Sequence, residues 1–135
     1  MTEKQRIVPP GTGSALPFSA GVRKGPLLQV SGQGPTDPDS GEYLFPGDVA
    51  GQTTRVLQNV QAVLEAGGAT FDDLVMLRVY LTTRDHFAPM NEAYGAFVRE
   101  HSTSGVLPAR TTVFVDLPHP AMLVEIDGLA VTATS

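Results

Sequence analysis

The sequence predicts an α+β domain in which one β-sheet carries two helices on a single face. Three observations lead there. Two segments place their apolar residues at helical spacing, 48–66 and 85–101. The remaining apolar segments alternate with period two, as half-buried strands do. Finally, 135 residues with 41% hydrophobic content and 14 Gly and 11 Pro suffice for one domain, spanning residues 1–135, with a core and many turns.

The elements follow the order β-β-α-β-α-β-β. Residues 1–26 are rich in Gly and Pro and read as loop or short edge strand, with a brief strand placed at Ile7-Val8. Leu27 to Ser31 is an apolar run ended by Gly32, a strand. Residues 32–47 form a long turn-rich loop with a tight turn at Asp39-Ser40-Gly41. From Asp48, Val49, Gln52, Val56, Val60, Val63 and Leu64 share one helical face, and Gly67-Gly68 ends the helix. Val75, Leu77, Val79 and Leu81 then alternate as a strand. A second helix from Asp85 to His101 sets Phe87, Met90, Tyr94, Phe97 and Val98 on one stripe, with Pro89 tolerated in its first turn. Residues 110–117 and 122–132 are the last two strands, separated by Pro118-His119-Pro120.

Two helices leave one sheet face bare. On the last two strands Val113, Val115, Val124 and Ile126 are expected to face the core. Arg110, Thr112, Phe114, Glu125 and Asp127 would then share the bare face with Met76 and Tyr80. Such a half-apolar face is a candidate subunit interface.

Charge and composition exclude several functions. Nine Lys and Arg against 14 Asp and Glu give a net charge of −5, and the basic residues are scattered, which is no footprint for nucleic acid. The absence of cysteine removes disulfides, thiolate metal sites and a thiol nucleophile. No apolar run is long enough to span a membrane, and Pro9-Pro10-Gly11 stands where a secretory signal would be apolar, so the expected residence is cytoplasmic. Gly32-Gln33-Gly34 lacks the third glycine of a dinucleotide loop. His86, His101 and His119 are dispersed, and Asp37, Asp39 and Glu42 read as a solvated turn, so no metal and no cofactor are expected.

Three polar residues stand in or beside strands. Arg110 opens a strand after Pro108-Ala109, Glu125 is flanked by Val124 and Ile126, and Ser31 precedes Gly32. An arginine fork can receive a carboxylate through two parallel hydrogen bonds. A glutamate can orient or deprotonate water. Each of the three is equally compatible with a solvated strand residue.

The segments LPFSAGVRKG, VSGQGPTDPDSGE, DVAGQTTRVLQNVQAVLEAGGATFDDLV, VYLT, DHFAPMNEAYGAF, LPARTTVFV and LVEIDGLA resemble, in order and spacing, those of the RidA/YjgF family of reactive intermediate deaminases. This family is also described as L-PSP-like endoribonucleases. The resemblance runs from Leu16 to Thr132. It implies a YjgF-like, chorismate-mutase-like fold with a single mixed sheet, assembled as a homotrimer with sites between subunits. It further implies hydrolysis of enamines and imines such as 2-aminoacrylate to 2-keto acids and ammonia, without metal or organic cofactor. The activity would be that of a 2-iminobutanoate/2-iminopropanoate deaminase-like hydrolase. By the same resemblance Arg110 clamps the substrate carboxylate and Glu125 positions the attacking water. Ser31, Asn91, Phe18 and Thr112 line the pocket. Two positions depart from the family pattern: Phe18 stands where Tyr is common, and Thr112 where Cys is common. The missing phenol hydroxyl leaves a second reading, a non-catalytic trimeric binding protein for a small carboxylate metabolite. The physiological substrate and pathway are not legible.

Overall fold

The computed structural model describes residues 3–11 and 16–133, so part of the loop expected over residues 1–26 lies outside the described residues. Six strands form one sheet: β1 (Gln5–Ile7), β2 (Gly21–Lys24), β3 (Leu27–Gln33), β4 (Leu74–Leu81), β5 (Ala109–Phe114) and β6 (Val124–Val131). Their order is β1-β2-β3-β6-β4-β5. Helices α1 (Val49–Ala66) and α2 (Phe87–His101) pack on one face. The sheet is mixed, because β4 and β5 run parallel with α2 as their crossover, whereas the other neighbours are antiparallel.

Helix α1 forms where its sequence signals say. The Asp48 carboxylate accepts from the Gly51 N–H at 3.0 Å, capping an orphan donor. Gly68, at φ 81°, then turns the chain away from the C-terminus as few other residues could. Val56, Val60, Val63 and Leu64 are fully buried against Leu28, Val30, Leu77, Val79 and Ile126. Two buried amides on α1 tie the loops to this core. Gln52 donates from Nε2 to the Ala121 carbonyl at 2.9 Å and accepts from the Leu123 N–H at 2.8 Å. Asn59 donates from Nδ2 to the Gly34 and Thr36 carbonyls, both at 3.0 Å. These bonds fix the long loop and the start of β6 relative to α1. The tight turn in that loop is present, with Gly41 at φ 75° and Thr36 bridged to Tyr43.

Several expectations need correction. Strand β2 lies in the segment read as loop or short edge strand and has no expected place of its own, since Gly21-Val22-Arg23-Lys24 offers a single large apolar residue. It owes its conformation to pairing with β3 across the two-residue turn Gly25-Pro26, where Gly25 takes φ 60°. The first strand ends at Ile7, leaving Val8 exposed outside it. Strand β5 stops at Phe114 rather than residue 117.

The largest correction concerns the faces of β5. Parallel pairing sets Arg110 beside Leu77, Thr112 beside Val79 and Phe114 beside Leu81. Those three β4 residues are fully or almost fully buried in the helix-side core, so Arg110, Thr112 and Phe114 lie on the helix face at the sheet edge. Val113 and Val115, expected in the core, are 43% and 42% exposed. Val124, Ile126, Glu125 and Asp127 lie as expected: the first two are fully buried, and Glu125 and Asp127 stand across from Tyr80 and Arg78 on the bare face.

Candidate functional site

The candidate residues fall into two groups on opposite faces of the sheet. On the helix side, Arg110 projects from the edge strand β5 toward α2. Its guanidinium carbon lies 4.7 Å from the centroid of the Tyr94 ring and 5.8 Å from that of Phe87. No carboxylate among the described residues pairs with it; the one ion pair there is Arg78–Asp127. Thr112 is two residues along the same strand face, and its buried Oγ1 has no hydrogen-bond partner. Asn91 is exposed on α2 and shares a helical stripe with Phe87 and Tyr94, at spacings of four and three. Arg110, Thr112 and Asn91 therefore form one group. An unneutralised guanidinium beside polar side chains can bind an anion such as a carboxylate.

On the bare face, Glu125 projects from β6 beside Tyr80. It lies over Gly32: a Cβ at that position would come within 2.8 Å of the Glu125 Cδ, so glycine is what admits the carboxylate. Glu125 is half-buried, and among the described residues no donor reaches it. Burial raises its pKa above the usual carboxylate range, and the charge of Asp127 pushes in the same direction. Asp127 itself is well served. Arg78 Nε donates to its Oδ1 at 2.7 Å, and the Tyr80 hydroxyl donates to its Oδ2 at 2.6 Å. That hydrogen bond in turn raises the Tyr80 pKa, so the phenol keeps its proton.

Glu125 and Phe18 line a cleft of about 740 Å³ that runs under the long loop, with Met122, Tyr43 and Pro118 as further walls. Phe18 is 59% exposed at this cleft. Ser31 directly precedes Gly32, which lines the cleft, but its hydroxyl is already engaged, donating to the Ser19 carbonyl at 2.6 Å. Its N–H donates to the Ala20 carbonyl at 2.9 Å, so Ser31 anchors the segment that carries Phe18. The three histidines do not converge. His101 stacks on Phe97, His119 stacks on Tyr43, and His86 begins α2. Among the described residues no group of three His, Asp or Glu side chains could hold a metal ion, and no helix is long and apolar enough to cross a membrane.

The structure thus groups Arg110 with Thr112 and Asn91, and Glu125 with Phe18, but it does not bring the two groups together within one chain. Sequence reasoning placed Phe87 and Tyr94 on one helical stripe and missed that they face Arg110. The available signal was two aromatic residues seven apart on one helix, next in the chain to a strand opening on arginine.

Comparisons with known proteins identify the family. A family model described as endoribonuclease L-PSP matches residues 11–132. A RutC family protein of Pyrococcus horikoshii is 38% identical over 114 residues, covering 84% of this chain and 86% of the relative. The 2-iminobutanoate/2-iminopropanoate deaminase of Escherichia coli is 37% identical over 115 residues, covering 85% of this chain and 87% of that protein. Among solved structures, E. coli TdcF with bound serine superposes with a TM-score of 0.83 at 34% identity, covering 96% of this chain and 99% of TdcF. The match extends over nearly the whole domain, and the chain belongs to the RidA/YjgF family.

Proposed function

We propose that this protein hydrolyses enamine and imine intermediates of the 2-aminoacrylate type to 2-keto acids and ammonia, as a homotrimer whose sites lie between subunits. One observation carries the proposal: a guanidinium and a carboxylate, neither paired among the described residues, lie on opposite faces of one sheet. In a ring of copies, the β5 edge of one subunit meets the bare face of the next, and Arg110 and Glu125 then come from different chains.

The chemistry needs little more. An enamine tautomerises to an imine whose C2 is already electrophilic, being conjugated to a carboxylate. Arg110 holds that carboxylate through its fork, and Asn91 and Thr112 flank it. Glu125 accepts a proton from water as the oxygen attacks C2 and delivers it to the imine nitrogen, giving a carbinolamine; it then takes the carbinolamine hydroxyl proton and passes it to the same nitrogen. The C–N bond breaks and the C=O bond forms, releasing ammonia and the 2-keto acid. A carboxylate with a raised pKa suits these proton transfers, because it holds a proton more readily than an ordinary carboxylate and still returns it.

Phe18 supports a second reading, a carboxylate-binding trimer without turnover, because its ring brings no hydroxyl to the cleft. An amino-acid oxidase generating the imine in situ separates the two. Faster ammonia release in the presence of the protein supports the hydrolase. An unchanged rate, together with saturable binding of a 2-keto acid, supports the binder.

A further inference from the structure

We propose that Phe87 and Tyr94 are positioning residues that hold Arg110 as a fixed, unneutralised carboxylate receptor; this rests on the reading of Arg110 as the substrate clamp. The two rings stand seven residues apart on α2, about 10.5 Å along the helix axis. The guanidinium reaches both, at 5.8 and 4.7 Å, and so lies between them beside position 91. Arginine is flexible, and a free side chain on an edge strand would lose rotamer entropy when it captured an anion. Ring faces remove that cost in advance, since their negative quadrupoles attract the cation. They do so without using the fork, whose donors would be occupied if a carboxylate played the same part. The surrounding structure supports such a cradle. Tyr94 is buried, so its ring is set by packing before any ligand arrives. Phe87 is 37% exposed and makes a second ring contact with Phe114, which itself lies under the Arg84 guanidinium at 5.0 Å. Between the sheet edge and α2 there thus runs a chain of contacts through Arg84, Phe114, Phe87, Arg110 and Tyr94. The Tyr94 hydroxyl is buried with no partner, so the ring face is what it offers Arg110.

The test is the affinity of pyruvate, a stable 2-oxo acid, measured by calorimetry together with kcat and KM for an imine generated in situ. Phe87→Leu and Tyr94→Leu are each expected to weaken pyruvate binding by about three- to thirty-fold, the range that one ring–cation contact spans. KM should rise in parallel while kcat stays within about twofold, because Glu125 is untouched. Tyr94→Phe keeps the ring and should bind within about twofold of the parent. A purely structural role would instead lower the melting temperature and the active fraction with unchanged KM and pyruvate affinity, and that result overturns the cradle. A Tyr94→Phe loss as large as that of Tyr94→Leu also overturns it, in favour of the hydroxyl. Phe87 is at the surface, so Phe87→Leu decides the matter even where Tyr94→Leu fails to fold. Arg110→Ala serves as the reference: lost binding there with parental binding in Phe87→Leu rejects the cradle alone, whereas parental binding in Arg110→Ala rejects the clamp as well.

Discussion

The two faces of the sheet treat charge in opposite ways. On the helix side, Arg110 stands between two rings and meets no acid among the described residues. On the bare face, Asp127 is paired with Arg78 and Tyr80, while Glu125, two residues away on the same strand and face, has no partner among the described residues. The pairing of Asp127 shows that this strand can supply a carboxylate with partners when the fold needs one. Glu125 lacks them and pays in proton affinity, its carboxyl being pushed upward by burial and by its neighbour. A cation without its anion and an anion without its cation, on opposite faces, are the two halves of a site that one chain does not close.

The largest effect expected on that contrast is from Glu125→Gln. It keeps shape and one accepting oxygen but removes the base. Turnover should fall by about 10²–10⁴-fold while pyruvate affinity stays near the parental value. Kinetics and calorimetry on one preparation check this, and a mutant with parental turnover would leave Glu125 no catalytic part.

On the opposite face, Arg110→Lys retains the charge but loses the planar fork and much of the ring stacking. Carboxylate affinity should weaken by about 1.5–3 kcal/mol, read as a higher pyruvate Kd. An unchanged Kd would place Arg110 in the interface only.

Removing the buried amide that ties the loops to α1 sharpens the contrast between scaffold and site. Gln52→Ala leaves the Ala121 carbonyl and the Leu123 N–H without their present partners and should cost about 1–3 kcal/mol of stability. Denaturant unfolding measures it. Because Leu123 leads directly into β6, the Glu125 face should suffer first and pyruvate binding at Arg110 less.

The smallest effect concerns pH. Glu125 must be ionised to act as base, so kcat/KM should rise with pH through its elevated pKa. Asp127→Asn removes the neighbouring negative charge and should move this acid limb to lower pH. The stability linkage has the opposite sense. A carboxyl that holds its proton more tightly when folded contributes stability below its unfolded pKa and loses it as pH rises through the folded value. An acid limb unmoved in Asp127→Asn would contradict the assigned cause.

Much of this architecture was legible in the residues. The α1 stripe from Val49 to Leu64, its start at Asp48 and its glycine stop each carry a local signal, and all three are present. Strand β2 carried no such signal except Gly25-Pro26, because four residues with one large apolar side chain become a strand only through the neighbour they pair with. The faces of β5 were hidden for a different reason. Alternation separates Arg110, Thr112 and Phe114 from Thr111, Val113 and Val115, but not which set meets the helices. Hydrophobicity favoured the valines, and parallel register with β4 decided otherwise. An edge strand needs no apolar face inward when rings from a helix cover its arginine. The same misplacement hid the division of the site, since Arg110 and Glu125 were both assigned to the bare face when only Glu125 is there.

The most direct test of a site completed between copies is subunit mixing. Arg110→Ala and Glu125→Gln variants, each inactive alone, are unfolded together, refolded at equal amounts, and checked for size and ammonia release. In a randomly assembled ring, about a quarter of the contacts join an intact Arg110 to an intact Glu125, so about a quarter of parental activity should return. Mixed oligomers that form, as tagged subunits would reveal, yet stay as inactive as their parents would contradict the account.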